Sequence, residues 1–324
     1  MNSIGHNFRV SLFGESHGKA VGVVMDGVPA GLELSESDFA EDLARRKGGT
    51  LGTTSRVEPD VPEILSGVYE GHTTGAPLAI IFRNECADSG AYEGLRDVPR
   101  PGHADWVAKE KFGGWNDPRG GGHFSGRLTV ALVAAGVVAK RVLGEGVKIT
   151  SRLVEIGGES DSAKWESLLE QTRRAGDSIG GIVECCVEGA GVGLGEPFFD
   201  SLESTISHLL FSIPAVRGVE FGDGFGAARM RGSEHNDAIV APDGRTATNG
   251  AGGINGGLSN GNPIVVRVAV KPTSSISRTQ QTLNTATGEI VELSVGGRHD
   301  VCIALRAGVV VESALAVALA DFVV

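Results

Sequence analysis

Glycine is the feature that most constrains how this chain can fold. It occupies 49 of the 324 positions, roughly twice its usual share in globular domains. The glycines follow no three-residue period, which excludes a collagen-like fibre, and only 5% of the residues are aromatic. Because glycine adopts backbone angles that other residues avoid, we expect many tight turns and close backbone approaches.

The overall charge and the cysteines restrict the function class and the compartment. The formal net charge of −11 argues against a general nucleic-acid surface, although it leaves room for a local basic pocket. The four cysteines show no C-x-x-C spacing, and the adjacent pair Cys185–Cys186 is poorly suited to a disulfide. We therefore expect a reduced, cytoplasmic protein. With no signal-peptide pattern and no apolar stretch long enough to span a bilayer, we expect no membrane association.

Hydrophobic runs and helix signals predict an α/β protein. Six runs have the composition of strands: residues 8–13, 20–25, 78–83, 147–157, 182–187 and 264–270. A capping box of Ser35 and Asp38 begins a helix to about Arg46, residues 125–143 form a longer one, and Asp200 or Ser201 caps a third. The apolar segment from residue 308 predicts a buried terminal helix. Since no Pro- or Ser-rich linker divides the chain, we expect residues 1–324 to form a single domain.

Two pairs of similar strings suggest an internal repeat. Residues 27–32 and 189–194 are both glycine-rich and precede a capped helix, and residues 75–78 and 261–264 both precede a strand. The two pairs differ in spacing, so an insertion in one half is required. Chance similarity among glycines is an equally open explanation; a true repeat implies two pseudo-symmetric α/β halves.

Three glycine-bracketed segments carry side chains suited to acid–base chemistry and anion binding. Gly14-Glu15-Ser16-His17-Gly18 presents a hydroxyl and an imidazole on a tight turn after a strand. Arg100-Pro101-Gly102-His103-Ala104-Asp105 combines a second imidazole with a guanidinium that can grip phosphate or carboxylate. Residues 119–127 place three glycines ahead of a helix, which favours a phosphate site over a flexible loop. For the first two segments, a capping or surface cluster is an open alternative.

Further polar residues cluster late in the chain. They lie at residues 249–261, at Lys271-Pro272-Thr273-Ser274-Ser275 and at Gly297-Arg298-His299-Asp300. No H-E-x-x-H or His/Cys pairing appears, so no metal site is expected. This inventory of imidazoles, arginines and glycine loops suits the binding of a multiply anionic small molecule and the movement of protons around it.

Taken together and in order, these segments resemble the chorismate synthase family. The similarity extends along nearly the whole chain through further strings: Asp26-Gly27-Val28-Pro29, Glu58-Pro59-Asp60, Gly176-Asp177-Ser178-Ile179-Gly180 and Gly222-Asp223-Gly224-Phe225. A collinear series of uncommon strings is more specific than any one motif. The resemblance implies a β-α-β sandwich with an internal pseudo-twofold, usually assembled as a homotetramer.

The resemblance also implies an activity and roles for individual residues. The family converts 5-enolpyruvylshikimate 3-phosphate to chorismate and phosphate by a 1,4-anti elimination that needs reduced FMN, with NADPH as a candidate reductant. His17 resembles the acid that protonates the departing phosphate, and His103 the one that protonates the reduced flavin or steadies its charge. Asp300, working with Ser16, resembles the relay that takes a proton by way of the flavin.

Ligand-binding residues are implied in the same way. For the flavin, the matching positions are His123, Phe124, Ser125, Pro214, Ala215, Gly256, Lys271, Pro272, Thr273, Ser274, Ser275 and Arg298. For the two carboxylates and the phosphate of the substrate, they are Arg45, Arg46, Arg100 and Arg127, and Arg298 suits either ligand.

A few positions depart from the family pattern, and two other hypotheses are open. Phe124-Ser125-Gly126 replaces Ser-Ser-Ala, and residues 51–53 lack the second basic position that often follows Arg45-Arg46. The alternatives are a flavin-binding homologue without lyase activity and a flavin-dependent reductase. Intact catalytic positions argue against the first, and the lack of a G-x-G-x-x-G motif after a strand argues against the second.

Overall fold

Two antiparallel sheets form the framework of the protein. The computed structural model describes residues 1–55, 58–86, 96–297 and 299–324. In spatial order, the first sheet contains β1 (Ser3–Ile4), β2 (Arg9–Gly14), β3 (Ala20–Asp26), β7 (Leu78–Arg83) and β4 (Glu63–Ser66). The second contains β10 (Val216–Phe221), β13 (Ile264–Val270), β9 (Gly181–Glu188) and β8 (Lys148–Ile156). Three ribbons complete the described strands: β5 (Val68–Tyr69) with β6 (His72–Thr73), β11 (Ile254–Asn255) with β12 (Leu258–Ser259), and β14 (Gln280–Leu283) with β15 (Ile290–Leu293).

Helices pack between the two sheets. The described α-helices are α1 (Ala40–Arg46), α2 (Asp105–Lys111), α3 (Thr129–Leu143), α4 (Trp165–Arg174), α5 (Leu202–Ser212), α6 (Gly232–His235) and α7 (Gly308–Ala320). The first sheet contacts α3 and the second contacts α5 and α7, while α3 and α7 pack on each other. The layers therefore run sheet, helices, sheet, which confirms the predicted α/β sandwich. No helix in the described ranges is both long and apolar enough to cross a membrane.

Small side chains allow α3 and α7 to lie at the centre of the core. Residues 129–139 of α3 and 309–320 of α7 are buried on every side. The sequence predicts one apolar face for α3, and this understates its burial, because α7 covers the face opposite the sheet. At the crossing, a Cβ on Gly136 would lie only 2.3 Å from Ser313 Cβ. Glycine therefore sets the distance between the two helices.

Apart from the additional edge strand β1 of the first sheet, the two sheets have the same topology. In the first, β2 pairs with β3, β3 with β7 and β7 with β4; in the second, β8 pairs with β9, β9 with β13 and β13 with β10. Likewise α1 follows β3 as α5 follows β9, and α3 follows β7 as α7 follows β13. The similar strings occupy matching places before these elements. The two pairs of similar strings differ in spacing partly because the connections between matching strands differ in length. Residues 222–253 connect β10 to β11 in the second half, whereas Gly67 alone connects β4 to β5 in the first.

Most of the predicted elements are present with small shifts at their ends. All six predicted strands form, and the capping box of Ser35 and Asp38 begins a short 3₁₀ turn that leads into α1. Of the two candidate caps for α5, Ser201 is the one whose Oγ accepts the N–H of Ser204. Sequence reasoning missed β4, β10, α2 and α4. Strand β4 and helix α2 are short and α4 is mostly polar, while the six residues of β10 are interrupted by Arg217, Gly218 and Glu220.

Candidate active site

Three consecutive glycines form a bend that packs against the Ser16–His17 turn. Gly120, Gly121 and Gly122 have φ angles of 60°, 82° and 54°, which residues with a Cβ rarely adopt. A Cβ on Gly120 would lie 2.5 Å from His17 Nε2 and 2.8 Å from Ser16 Oγ. The bend thus brings bare backbone directly over the hydroxyl and the imidazole.

Hydrogen bonds fix this bend to the turn after β2. The N–H of Ser16 donates to the Gly122 carbonyl at 3.0 Å, and His123 Nδ1 lies 2.8 Å from the Gly14 carbonyl oxygen. Ser16 is fully buried, and its Oγ has no hydrogen-bond partner in the part of the chain that the structure describes. Because an unpaired buried hydroxyl costs free energy, its position indicates a site that a ligand completes.

Two buried arginines share one carboxylate at the end of α1. Arg46 Nη1 lies 3.1 Å from Asp60 Oδ2, and Arg127 Nη1 binds the other oxygen of Asp60. Burial lowers the pKa of Arg46 to about 9, with Asp60 opposing this and the neighbouring Arg306 and Arg127 adding to it, so Arg46 is still charged at neutral pH. Since Asp60 neutralises only one of two guanidinium groups, a positive charge is left for an anionic ligand.

Asp300 is held by an arginine that the sequence analysis assigned no role. Arg306 donates to both oxygens of Asp300, at 2.9 Å and 2.8 Å, and the Thr54 N–H donates to Oδ1 at 3.0 Å. The predicted pair of Ser16 and Asp300 is therefore not joined by a direct hydrogen bond, although both side chains line one cavity.

Arg100, His103 and Asp105 form a compact group beside that cavity. The Asp105 carboxylate accepts two hydrogen bonds from the Arg100 guanidinium, each 2.7 Å, and lies 2.6 Å from His103 Nδ1. Arg100 Nη1 also donates to Ser275 Oγ at 2.9 Å. The group thus ties the Arg100 segment to the residues that follow β13.

The segment after β13 supplies hydroxyls and an ammonium group. Lys271 Nζ donates to Ser274 Oγ at 2.8 Å, and burial together with nearby Arg217 lowers the pKa of Lys271. The Lys271 N–H donates to the carbonyl of Ala215, which holds a left-handed φ of 77°. Thr273 Oγ1 is buried and, like Ser16 Oγ, has no hydrogen-bond partner among the described residues.

A cavity of about 950 Å³ brings most of the predicted site residues together. Its wall includes the first turns of α3 and α7, the end of α1 and the segment after β13. The predicted residues that line it are Ser16, Arg46, Arg100, His103, His123, Phe124, Ser125, Arg127, Pro214, Ala215, Lys271, Thr273, Ser274, Ser275 and Asp300. His17 is buried beneath Gly120, at the edge of this group.

The lining is strongly cationic although the chain is acidic. Among the described residues, seven basic side chains face the cavity: Arg46, Lys47, Arg100, Arg127, Arg217, Lys271 and Arg306. The same part of the chain contributes three carboxylates, those of Glu58, Asp60 and Asp300. The beginnings of α3 and α7 add the positive ends of two helix dipoles. The cavity is therefore suited to a ligand with several negative charges.

Some predicted residues lie elsewhere. Arg45 points away from the cavity and binds Glu312 of α7 at 2.5 Å and Asp42 at 3.0 Å; the bond to Glu312 raises the pKa of Arg45, against the effect of burial. Gly256 lies in the turn between β11 and β12 and, like Pro272, is not part of the cavity wall. Arg298 falls outside the described residues. The structure thus separates Arg45 from its neighbour Arg46.

Sequence reasoning assigned no role to three charged groups of this site or to a further histidine. Asp60 and Asp105 bind arginines that it did identify and lie within the strings that it quoted, whereas Arg306, which binds Asp300, lies in none of them. His299 lines the cavity, and burial lowers its pKa, opposed by the Gly296 carbonyl and assisted by Arg100. His299 is therefore neutral at pH 7.

Fold and site together define a protein with two halves of the same strand order and a cationic cavity suited to a polyanionic small molecule. The chain belongs to the chorismate synthase family, whose model matches residues 8–324. A chorismate synthase of Chitinophaga pinensis is 61% identical over 322 residues, covering 99% of this chain and 96% of its own. One from Korarchaeum cryptofilum is 48% identical over 347 residues, covering 98% and 96%.

A solved structure shows the same fold. A crystal structure of chorismate synthase superimposes with a TM-score of 0.75 at 29% identity, covering 98% of this chain and 92% of that one. The predicted family and fold are thereby confirmed, and the chain is a member of a family of lyases in the shikimate pathway.

Proposed function

We propose that this chain catalyses the 1,4-anti elimination of phosphate from 5-enolpyruvylshikimate 3-phosphate, giving chorismate in the last common step toward the aromatic amino acids. The observation that carries the proposal is that one cationic cavity brings Ser16, His103 and Asp300 together with three buried guanidinium groups. A substrate with two carboxylates and a phosphate matches that surplus of positive charge. Family membership supplies the reaction class.

The charged residues of the cavity divide into grips for the substrate and groups that move protons. Arg46, Arg127 and Arg100 bind the anionic groups of the substrate, because their guanidiniums are already oriented by Asp60 and Asp105. His17 donates a proton to the departing phosphate, whose negative charge must be neutralised as it leaves carbon.

Proton removal falls to Asp300 with Ser16. Arg306 and Thr54 occupy three of the roughly four acceptor sites of the Asp300 carboxylate, two on Oδ1 and one on Oδ2, so Oδ2 keeps a site that can accept a proton.

The cavity also fits the reduced FMN that the family implies. Two buried hydroxyls, Ser16 Oγ and Thr273 Oγ1, have no hydrogen-bond partner in the described ranges, and Lys271 with Arg217 offers the positive charge that a flavin phosphate requires. The residues that would hold it are His123, Phe124, Ser125, Pro214, Ala215, Lys271, Thr273, Ser274 and Ser275. When bound, reduced FMN supplies electron density that assists loss of the phosphate.

We extend the proposal to assembly, reductant and compartment. Phe198 and Phe199 are 87% and 93% exposed, which supports burial of this surface in a homotetramer.

NADPH is the candidate reductant of the flavin, and the free state of all four cysteines supports a cytoplasmic protein. The core joins buried residues from both halves, which supports a single domain over residues 1–324.

Anaerobic turnover tests the proposed reaction. The protein is mixed with dithionite-reduced FMN and the substrate, and both phosphate and chorismate are followed; we expect the two in equal amounts. Release of neither above the enzyme-free background would favour a flavin-binding homologue without lyase activity. Replacing dithionite with NADPH tests whether the chain reduces its own flavin.

A further inference from the structure

Asp105 occupies a position from which it controls two residues of the cavity. It is the first residue of α2, and its side chain is 11% exposed. Oδ1 lies 2.6 Å from His103 Nδ1 and 2.7 Å from Arg100 Nη2. Oδ2 accepts Arg100 Nε at 2.7 Å and the Arg100 backbone N–H at 3.1 Å. One carboxylate therefore fixes the ring of His103 and the plane of the Arg100 guanidinium together.

The distances determine which nitrogen of His103 carries the hydrogen. An anionic oxygen 2.6 Å from Nδ1 requires a donor there, because a lone pair facing a carboxylate at that distance would be strongly repelled. Arg100 Nη2 lies 3.0 Å from Nδ1, but it donates to Oδ1 at 2.7 Å. His103 thus holds its Nδ1–H toward Asp105. Its Nε2 lies beside Gly121, because a Cβ placed on Gly121 would be 3.3 Å from that nitrogen.

The charge on Asp105 is secure at neutral pH. Burial by itself raises the pKa of this carboxyl, but the hydrogen bonds from Arg100 and His103 outweigh burial and hold the pKa well below its usual range. The carboxylate therefore remains an acceptor from about pH 5 to about pH 8, the range in which imidazoles in general change charge.

We propose that Asp105 is a positioning residue of this enzyme, which holds His103 in the Nδ1–H tautomer so that Nε2 is the nitrogen available to exchange a proton in the cavity. The importance of this for turnover rests on the proposed function; the tautomer itself does not. A carboxylate that orients a catalytic imidazole acts in this way in hydrolases, where its loss leaves the wrong tautomer.

Nuclear magnetic resonance of the ring nitrogens tests the tautomer without substrate. Full-length protein carrying ring-¹⁵N histidine is titrated from about pH 5 to about pH 9, and the His103 signals are identified by their loss in His103→Ala. In the wild type we expect the neutral ring to carry its hydrogen on Nδ1. An Nε2–H ring in the folded wild type overturns the proposal, whatever the variants do.

Substitution then tests whether Asp105 is the cause. In Asp105→Asn we expect a mixture of tautomers and a fall in kcat of at least about 10-fold. Asp97→Asn is the matched control, because Asp97 binds Lys109 of the same helix but lies at the surface; it should leave kcat and the His103 signals unchanged. An unaltered tautomer in folded Asp105→Asn contradicts the proposal.

A double-mutant cycle separates the effect through His103 from an effect through Arg100. If Asp105 acts through the imidazole, then in a His103→Ala background Asp105→Asn should cost less than about 2-fold in kcat. If the kcat losses of the two single variants multiply fully in the double variant, Asp105 acts through Arg100 or through the stability of the fold instead. Because the spectra require no turnover, absence of any lyase activity would refute the proposed reaction while leaving the tautomer to be judged separately.

Discussion

The contact between Gly120 and the Ser16–His17 turn leaves no room for a methyl group. We expect Gly120→Ala to abolish most turnover, because its Cβ would meet His17 Nε2 and Ser16 Oγ, and because φ is 60°. Gly71→Ala is the control: Gly71 has a φ of 77° but no atom within 4 Å of its Cβ position. Steady-state kinetics and thermal unfolding of both variants separate contact from backbone strain. Equal activity losses in the two would show that strain alone is responsible.

A second expectation at this scale concerns His17. If His17 protonates the leaving phosphate, His17→Ala should lower kcat by about 100-fold or more while FMN affinity changes little. His72→Ala, at an exposed histidine in the β5–β6 ribbon, serves as control. Flavin titration and turnover are measured on the same samples. A parallel loss of FMN binding would assign His17 to the cofactor instead.

The ionised state of Asp105 also predicts how stability depends on pH. Since folding lowers its pKa below the ordinary value of 3.8, Asp105 contributes stability above that value and loses it as pH falls toward the folded pKa. The difference in unfolding free energy between wild type and Asp105→Asn should be constant from pH 7 to 5 and shrink by about 1 kcal/mol at pH 3. Denaturant titrations at the three pH values measure it. A difference that is constant to pH 3 would mean that folding does not lower this pKa.

At the scale of elements, the crossing of α3 and α7 decides the shape of the core. Gly136→Ala places a Cβ 2.3 Å from Ser313 Cβ and 2.6 Å from Ser313 Cα, so the helices must separate. Overpacking should outweigh the better helix propensity of alanine and cost about 2 kcal/mol.

Gly226→Ala gives the matched comparison for that prediction. Gly226 has no atom within 4 Å of its Cβ position and no left-handed φ. We therefore expect the unfolding free energy of the Gly226→Ala protein to differ little from that of the wild type. Both variants are measured by denaturant unfolding. The predicted close packing is refuted if Gly136→Ala is as stable as Gly226→Ala.

The end of α1 shows why two adjacent residues, Arg45 and Arg46, bind different partners. Consecutive residues on an α-helix point about 100° apart, so Arg45 and Arg46 could not both face one cavity. Arg46 binds Asp60 at the cavity, while Arg45 binds Glu312 in the core-facing side of α7. The resemblance implied substrate contacts for both, with Arg45 ranked after Arg46, and the position of α7 shows where Arg45 binds instead.

For the whole molecule, Asp321 ties the end of α7 to the beginning of the chain. Its carboxylate accepts the backbone N–H groups of His6, Asn7 and Phe8 at 2.6–2.9 Å, just before β2. Asp321→Ala would leave these donors unpaired, and we expect a loss of about 3 kcal/mol in unfolding free energy.

A carboxylate with a single exposed partner provides the control. Among the described residues, the Asp26 carboxylate accepts the N–H of Gly27 at 3.1 Å, so Asp26→Ala should change stability by less than about 1 kcal/mol. Chemical unfolding of the two variants is compared. If both lose the same small amount, the tie between the chain ends contributes nothing to stability.

Local physics explains how much of this molecule could be predicted. Strands such as β13 and helices such as α5 follow from hydrophobic period and caps, and six of the seven described strands with at least six residues were predicted from their residues; β10 was not. The short strand β4 and the polar helix α4 were missed because their stability comes from packing on neighbouring elements. The internal repeat was an open question in the sequence and became clear only from the equal pairing order of the two sheets.

The sequence by itself determined the family, the main elements and the types of side chain that serve the site, because each of these depends on local composition or on strings of adjacent residues. Tertiary structure decided which of those side chains meet. In the folded chain, Asp60 forms ion pairs with both Arg46 and Arg127. Arg306 pairs with Asp300, and Arg45 pairs with Glu312. Electrostatic pairing depends on distance in space, and residues such as Arg45 and Glu312 come together only after the sheets and helices have packed. The many glycines made those close approaches sterically possible.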